Sequence, residues 1–231
     1  VINLSGYVDH GNLKKTYQSH FEGCKNLSDF FKNKRITHFI QIGSGLEYGK
    51  KVLQHNEYMN CKPLSIYAKS KLKASRYLMK LHKKFGFPVI ILRLYQVYGP
   101  YQDQNRILPS LIRNSIKSKK FPCTSGLQTR NFLFIDDFIR LIVKIIATKK
   151  HYGNVFNVGS NKSIKIKSLI NQVINCVGSG VPEFGKVKMR KDEAKNMSPR
   201  IDKITKTYNW RPKINLSKGL TKTINYYRKN K

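Results

Sequence analysis

The chain has 231 residues, 40% of them hydrophobic and 11% aromatic, which supplies apolar material for one large globular unit or two small ones and excludes a disordered chain. Its longest apolar runs, such as Val89 to Leu92, are too short to cross a bilayer, and the opening Val1-Ile2-Asn3-Leu4 carries no signal-peptide pattern. The 45 Lys and Arg outnumber the 12 Asp and Glu for a net charge of +33, spread along the whole chain with no basic arm; this reads as a compositional bias that favours anionic substrates such as a diphosphate, with a nucleic-acid surface as the alternative.

Val1 to Leu4 reads as a buried strand running into Ser5-Gly6. Leu13, Tyr17, Phe21, Cys24, Leu27 and Phe31 then recur at three- and four-residue steps, one face of a helix. Ile36 to Ile42 is a second apolar strand, ending in Gly43-Ser44-Gly45. Residues 65 to 85 form a long helix with Ala68, Leu72, Met79 and Phe85 inward, closed by Gly86 and Pro88. Val89 to Tyr95 is a third strand, apolar on both faces. Strand, helix, strand, helix, strand with little alternation means an α/β fold whose parallel sheet is covered on both sides. After Gly99-Pro100 the texture changes. Ile107 to Ile116 is helical, Asn131 to Ile135 a strand, and Asp136 to Ala147 a helix with Asp136 or Asp137 as N-cap. Val155 to Val158 is a strand, Ile166 to Cys176 a helix, and Ser217 to Tyr227 the last helix. The domain boundary falls near Tyr98, dividing 1–98 from 99–231, although 130–150 can pack back on the first part. Cys24, Cys61, Cys123 and Cys176 are scattered without CxxC spacing, so free thiols are expected and no metal site.

Tyr67 and Lys71 lie four apart and share a helix face. A lysine cation beside a phenol stabilises phenolate and lowers the tyrosine pKa, giving a proton acceptor near neutral pH. Taken alone the YxxxK pattern is better explained by a solvated helix face, but its context reverses that. Ser44 stands at the carboxyl end of a parallel strand, where ligands bind in open α/β sheets, and its hydroxyl can share a proton with Tyr67.

Ser44-x-x-x-Tyr48-Gly49, then Tyr67-x-x-x-Lys71, then Leu92-Arg93-Leu94-Tyr95-Gln96-Val97-Tyr98-Gly99-Pro100 resembles the extended short-chain dehydrogenases/reductases that act on nucleotide sugars, the NAD-dependent epimerase/dehydratase family. Gln128-Thr129-Arg130-Asn131-Phe132 with Ile135-Asp136-Asp137 is similar to that family's QTRDF…DD segment, Val155-Phe156-Asn157-Val158-Gly159-Ser160 to its YN(I/V)GS strand, and Trp210-Arg211-Pro212 with Gly219-Leu220 to its C-terminal ending. The resemblance implies a Rossmann-type doubly wound parallel sheet, truncated at its start, over 1–98, and a smaller mixed α/β substrate domain over 99–231. It implies that Ser44 and Tyr67 handle the sugar hydroxyl proton and that Lys71 tunes Tyr67 and binds the nicotinamide ribose of NAD or NADP. Leu4, Ser5, Gly6 and Tyr95 are expected against the cofactor, and Gln96, Arg106, Arg130 and Arg190 against a nucleoside-diphosphate sugar. For Arg106 and Arg190 plain surface charge is the alternative. The implied protein is a cytoplasmic homodimeric enzyme without nucleic-acid or membrane partners, carrying out redox chemistry at hexose C4 as an epimerase or 4-ketoreductase. A 4,6-dehydratase is the alternative, with a nucleic-acid-binding protein or a non-catalytic remnant as readings of another class.

Three departures stand out. The sequence has no GxxGxxG turn, so on the family plan roughly sixty residues precede Val1, and these 231 alone are expected to be inactive and to bind NAD poorly. The acidic pair that dehydratases of the family carry after the active-site Ser/Thr is here Gly45 and Leu46, which disfavours dehydration. His20 and Gln96 stand where the family often has Asn; His20 is either a helix-surface residue or part of the site.

Overall fold

A computed structural model describes residues 1–231 apart from 8, 10, 51–53, 191–192 and 230–231. Strand β1 (Ile2–Asn3) leads to helix α1 (Leu13–Tyr17), which runs through a π turn (Gln18–Glu22) into α2 (Gly23–Phe31). Strand β2 (Phe39–Ser44), a 3-10 turn (Gly45–Tyr48), α3 (Ile66–Phe85) and β3 (Val89–Leu94) follow. Then come β4 (Gln96–Tyr98), α4 (Ile107–Ile116), β5 (Lys120–Pro122), β6 (Thr129–Phe134) and α5 (Ile135–Ala147). The chain closes with β7 (Asn154–Val158), β8 (Ser163–Lys165), α6 (Ile166–Val177), β9 (Val181–Glu183), α7 (Asp202–Tyr208) and α8 (Leu216–Lys229).

The main sheet has the order β1-β2-β3-β7 and is parallel throughout. Register pairs Phe39 with Val89 and Ile40 with Ile90, so alternate residues face opposite layers. Phe39, Val89 and Ile91 pack on Phe21, Cys24 and Leu78 of the π turn, α2 and α3. Ile40, Ile90 and Leu92 pack on Phe138, Leu141 and Ile145 of α5 and on Ile204 and Tyr208 of α7. Strands apolar on both faces therefore find a helical layer on each, the doubly covered parallel sheet expected from the sequence. Its last strand, β7, comes from residues well beyond 98, because the chain leaves through β4 and β6 and returns. A three-stranded sheet, β4-β6-β8, and a two-stranded one, β5-β9, carry the second core, where Leu108, Ile112, Phe132, Leu169, Leu220 and Ile224 meet.

Several local expectations change. The first strand pairs only over Ile2–Asn3, and the second begins at Phe39 rather than Ile36. Leu13, read on one face of the first helix, and Phe85, expected inward, are 62% and 52% exposed. Phe85 closes the last turn of α3 under the ammonium groups of Lys32 and Lys84, 5.4 and 5.1 Å from its ring centre. Neither Asp136 nor Asp137 caps α5; Phe134 is its N-cap residue. Asp137 instead sits fully buried in the first turn, where its carboxylate accepts from the backbone N–H of Lys213 and Ile214 at 2.9–3.1 Å and pairs with Arg140. Trp210 donates its indole N–H to the Asp137 carbonyl at 3.1 Å. One residue thus ties the Trp-Arg-Pro segment to the main sheet's helical layer. Among the described residues no helix is long and apolar enough to cross a membrane.

Candidate active site

Strand β2 ends at Ser44, whose extended backbone caps the following 3-10 turn. Ser44 Oγ accepts from the Leu46 N–H at 3.2 Å, while the Ser44 N–H donates to Glu47 Oε1 at 2.9 Å. Helix α3 begins at the same end of the sheet because Ser65 caps it, its hydroxyl accepting from the Ala68 N–H at 3.2 Å. That start puts Tyr67 in the first turn, where the Ser44 hydroxyl comes close enough to its phenol to favour phenolate. The Leu46 N–H occupies one lone pair of Ser44 Oγ; its second lone pair and its proton remain for Tyr67, and donation by the serine is the direction that stabilises phenolate.

Lys71, one turn on, is buried and donates from Nζ to the Ile42 carbonyl at 2.9 Å; Nζ lies 5.9 Å from the Tyr67 ring centre. Burial holds the Tyr67 phenol above its ordinary pKa; the Ser44 hydrogen bond and Arg106 pull it down and Glu47 pushes it further up. Burial likewise depresses Lys71, against the opposing pull of Glu47 and Cys24. The lysine's hydrogen bond goes to the strand carbonyl, and desolvation outweighs the groups that favour phenolate.

His20 completes the near wall. It is 5% exposed, meets Tyr67 edge-on at 4.8 Å between ring centres, and has Nε2 3.1 Å from the Tyr7 carbonyl. It is thus part of the site and not a helix-surface residue. A Cβ on Gly6 would fall 2.3 Å from His20 Cε1, so the turn after β1 needs glycine there. Leu4 and Ser5 are exposed in that turn, with Ser5 Oγ donating to Asn3 Oδ1 at 2.6 Å. Tyr95 is buried with its hydroxyl 2.7 Å from His55 Nδ1, and its ring lies against the Ser44 turn: a Cβ on Gly45 would come within 2.7 Å of Tyr95 Cζ.

The basic residues form two groups. Arg106 is the exposed N-cap residue of α4, and Gln96 is exposed on β4. Arg130, buried on β6, donates to the Thr129 carbonyl at 2.8 Å and pairs with Glu193; burial lowers its pKa, and the charge of Arg190 does so as well. The segment bearing Arg190 and Glu193 is joined to the Ser44 turn, because Ala194 and Met197 pack on Tyr95 and Leu46. Glu47, Arg93, His55 and Glu193 were not singled out from the sequence. Arg93 carried a readable signal: a charge inside a strand apolar on both faces requires a buried partner.

An open parallel sheet covered on both faces, with Ser, Tyr and Lys gathered at the carboxyl ends of its strands, defines a Rossmann-type α/β protein. The NAD dependent epimerase/dehydratase family matches residues 1–159, and the chain belongs to that family. It is 29% identical over 204 residues to human dTDP-D-glucose 4,6-dehydratase, covering 85% of this chain and 58% of that protein. It is 30% identical over 194 residues to the enzyme of the same name from Dictyostelium discoideum, covering 76% of this chain and 44% of that one. The chain thus spans about half the length of these relatives. The crystal structure of UDP-glucuronic acid 4-epimerase from Bacillus cereus, in complex with UDP-glucuronic acid and NAD, superposes with a TM-score of 0.91 at 27% identity, over 99% of this chain and 74% of that one.

Proposed function

We propose that these residues form the proton-transfer and substrate-holding part of an NAD(P)-dependent enzyme acting at C4 of a nucleoside-diphosphate hexose, as an epimerase or 4-ketoreductase. The observation that carries this reading is the convergence of Ser44 on the Tyr67 phenol with Lys71 one turn along α3, at the carboxyl ends of parallel strands. The relatives support the substrate class, since two are dTDP-D-glucose 4,6-dehydratases and the similar crystal structure holds UDP-glucuronic acid and NAD.

The described residues fit the nicotinamide end of a dinucleotide. A buried ammonium on Lys71 and the exposed Leu4-Ser5-Gly6 turn flank Tyr67 and His20. The pyrophosphate end has no glycine-rich GxxGxxG turn within these 231 residues. A bound nicotinamide supplies the acceptor and donor of hydride at the sugar carbon. Tyr67 takes the proton from the C4 hydroxyl on oxidation and returns it on reduction. Ser44, held in place by the Leu46 N–H, shares that proton and orients the sugar oxygen. Lys71 holds the cofactor ribose and adds positive charge as phenolate forms. Arg130, with Arg190 and Arg106, provides cations for the diphosphate, where a guanidinium forks onto two oxygens.

Dehydration is the second reading and rests on the relatives' names. Against it, Gly45 and Leu46 offer no carboxyl group, and the Tyr95 ring fills the space that a side chain at position 45 needs. The test is to incubate the whole protein with NAD(P)H or NAD and UDP- or dTDP-hexoses. A C4 epimer without net NADH indicates the epimerase, consumption of added NADPH the reductase, and a 4-keto-6-deoxy product the dehydratase. Tyr67→Phe is expected to lower turnover by about 10²–10⁴-fold. Parental turnover in that variant sinks the reading.

A further inference from the structure

Behind the Ser44 turn lies an ion pair that the proposed proton transfer does not use. Glu47 is fully buried, and its carboxylate accepts from Arg93 Nε at 2.9 Å, the Ser44 N–H at 2.9 Å and Ser75 Oγ at 3.3 Å. The Arg93 guanidinium is also buried, 4.7 Å above the Tyr48 ring. A Cβ on Gly43 would come 2.7 Å from Glu47 Oε1 and 3.3 Å from Arg93 Cγ, so the strand is bare where the pair crosses it. Two apolar side chains of similar volume would fill this space without the desolvation cost of two charges. The pair therefore calls for a role other than packing, and one carboxylate oxygen reaches the backbone of Ser44 itself.

We propose that Glu47, anchored by Arg93, is a positioning residue for the Ser44–Tyr67–Lys71 centre: it fixes the Ser44 hydroxyl by holding that residue's N–H, and it sets the carboxylate end of the pair behind the tyrosine and the lysine. The role rests on reading that centre as a proton-transfer site. Geometrically, the Ser44 turn is closed from both sides, by Glu47 on the Ser44 N–H and by Ser44 Oγ on the Leu46 N–H. Opening either side frees the hydroxyl from the reach of Tyr67. Electrostatically, Tyr67 faces Ser44 from β2, Glu47 from the 3-10 turn, His20 from the π turn, Arg106 from the start of α4 and Lys71 from its own helix. Glu47 raises the proton affinity of both Tyr67 and Lys71, keeping the lysine charged against its burial. Its removal lowers both.

Glu47→Gln leaves Arg93 as an unpaired buried charge and endangers folding. The informative variant is Glu47→Val with Arg93→Leu, which removes the pair together; Glu47→Asp, which keeps the charge but withdraws it from Ser44, is the second. In the whole protein with NAD(P) and a nucleoside-diphosphate hexose, the double variant is expected to keep KM within about threefold and lose about 10²-fold in kcat, the cost of a small misplacement of reacting groups. Glu47→Asp is expected to lose kcat as well. A second readout needs no turnover: the titration midpoint of Tyr67, followed by NMR on ring-labelled tyrosine and assigned with Tyr67→Phe, is expected to move to lower pH in the double variant and to stay put in Glu47→Asp. Parental kcat in whichever variant folds overturns the positioning role, and an unmoved midpoint in the double variant overturns the charge role. A parent without turnover whose Tyr67 midpoint still falls on removing the pair supports the charge behind Tyr67 and refutes the enzymatic reading alone.

Discussion

Arg130 donates to the carbonyl of Thr129 and pairs with Glu193, so a diphosphate that reaches its guanidinium shares it with, or displaces, that carboxylate. Charge-assisted hydrogen bonds are worth about 1.5–3 kcal/mol, so Arg130→Ala is expected to raise the substrate KM by roughly 10–100-fold. Arg130→Lys, which keeps the charge without the fork, falls between. Steady-state kinetics on a nucleoside-diphosphate hexose decides; parental KM in both variants leaves Arg130 as no more than the partner of Glu193. Tyr48 gives a second expectation, for stability. Burial pushes its phenol up to about 12, and its hydroxyl donates to Asn157 Oδ1 at 2.8 Å. Between about pH 10 and this raised value the folded chain holds a proton that the unfolded chain has lost, so the stabilisation is complete below about 10 and fades as pH rises. Denaturant unfolding is expected to lose about 2–3 kcal/mol from Tyr48 over that range, and a flat profile would refute it. Ser44, Tyr67 and Lys71 were legible because a fixed spacing on a helix and a strand end carries geometric information by itself. Glu47 was not, since its meaning depends on Arg93, which lies across a strand pair.

At the scale of elements, caps and glycines explain which boundaries were readable. Helix α3 runs as expected because Ser65 starts it and Gly86, in the left-handed conformation, stops it. Strands β5, β8 and β9 are three residues each, too short for a period of two to register, and none was foreseen. Gly45 shows what a glycine between elements can do. Tyr95, anchored on buried His55, leaves no room for a methyl group, so Gly45→Ala is expected to cost about 1–3 kcal/mol by overpacking. If unfolding free energy changes by less than a few tenths, the ring yields freely and the steric argument against a side chain there fails. Asp137 was misread as a cap because an acid at a helix start satisfies that rule wherever its side chain goes. Removing it in Asp137→Ala orphans the N–H groups of Lys213 and Ile214 and the charge of Arg140. A loss of about 2–4 kcal/mol is expected, mainly from the two orphaned N–H groups, with the near-ultraviolet signal of Trp210 melting early.

Across the whole molecule the sheet's two apolar faces were plain in the sequence, yet the source of their cover was not. The face away from α3 is covered by α5 and α7, and β7 is added from beyond residue 150; nothing local to β2 or β3 names those partners. The charge behaves differently, because it needs no fold to be counted. With 45 basic and 12 acidic side chains, at least 45 − 12 = 33 cations have no carboxylate of their own. Among the described residues the ion pairs at Lys25–Asp29, Arg200–Asp202 and Lys222–Asp136 lie at the surface, where each contributes at most about 1 kcal/mol. The remaining cations repel one another in the compact state more than in the expanded one. Salt shortens the reach of that repulsion, from about 30 Å at 0.01 M to about 10 Å at 0.1 M. Thermal unfolding is therefore expected to move up by several degrees as sodium chloride rises across that range, with a smaller gain beyond it. The dispersed charge predicts the same shift with sodium acetate, since screening depends on ionic strength and not on the anion. A melting temperature that ignores sodium chloride but climbs with a multivalent anion such as pyrophosphate would instead mean that the cations are gathered into one anion-binding surface.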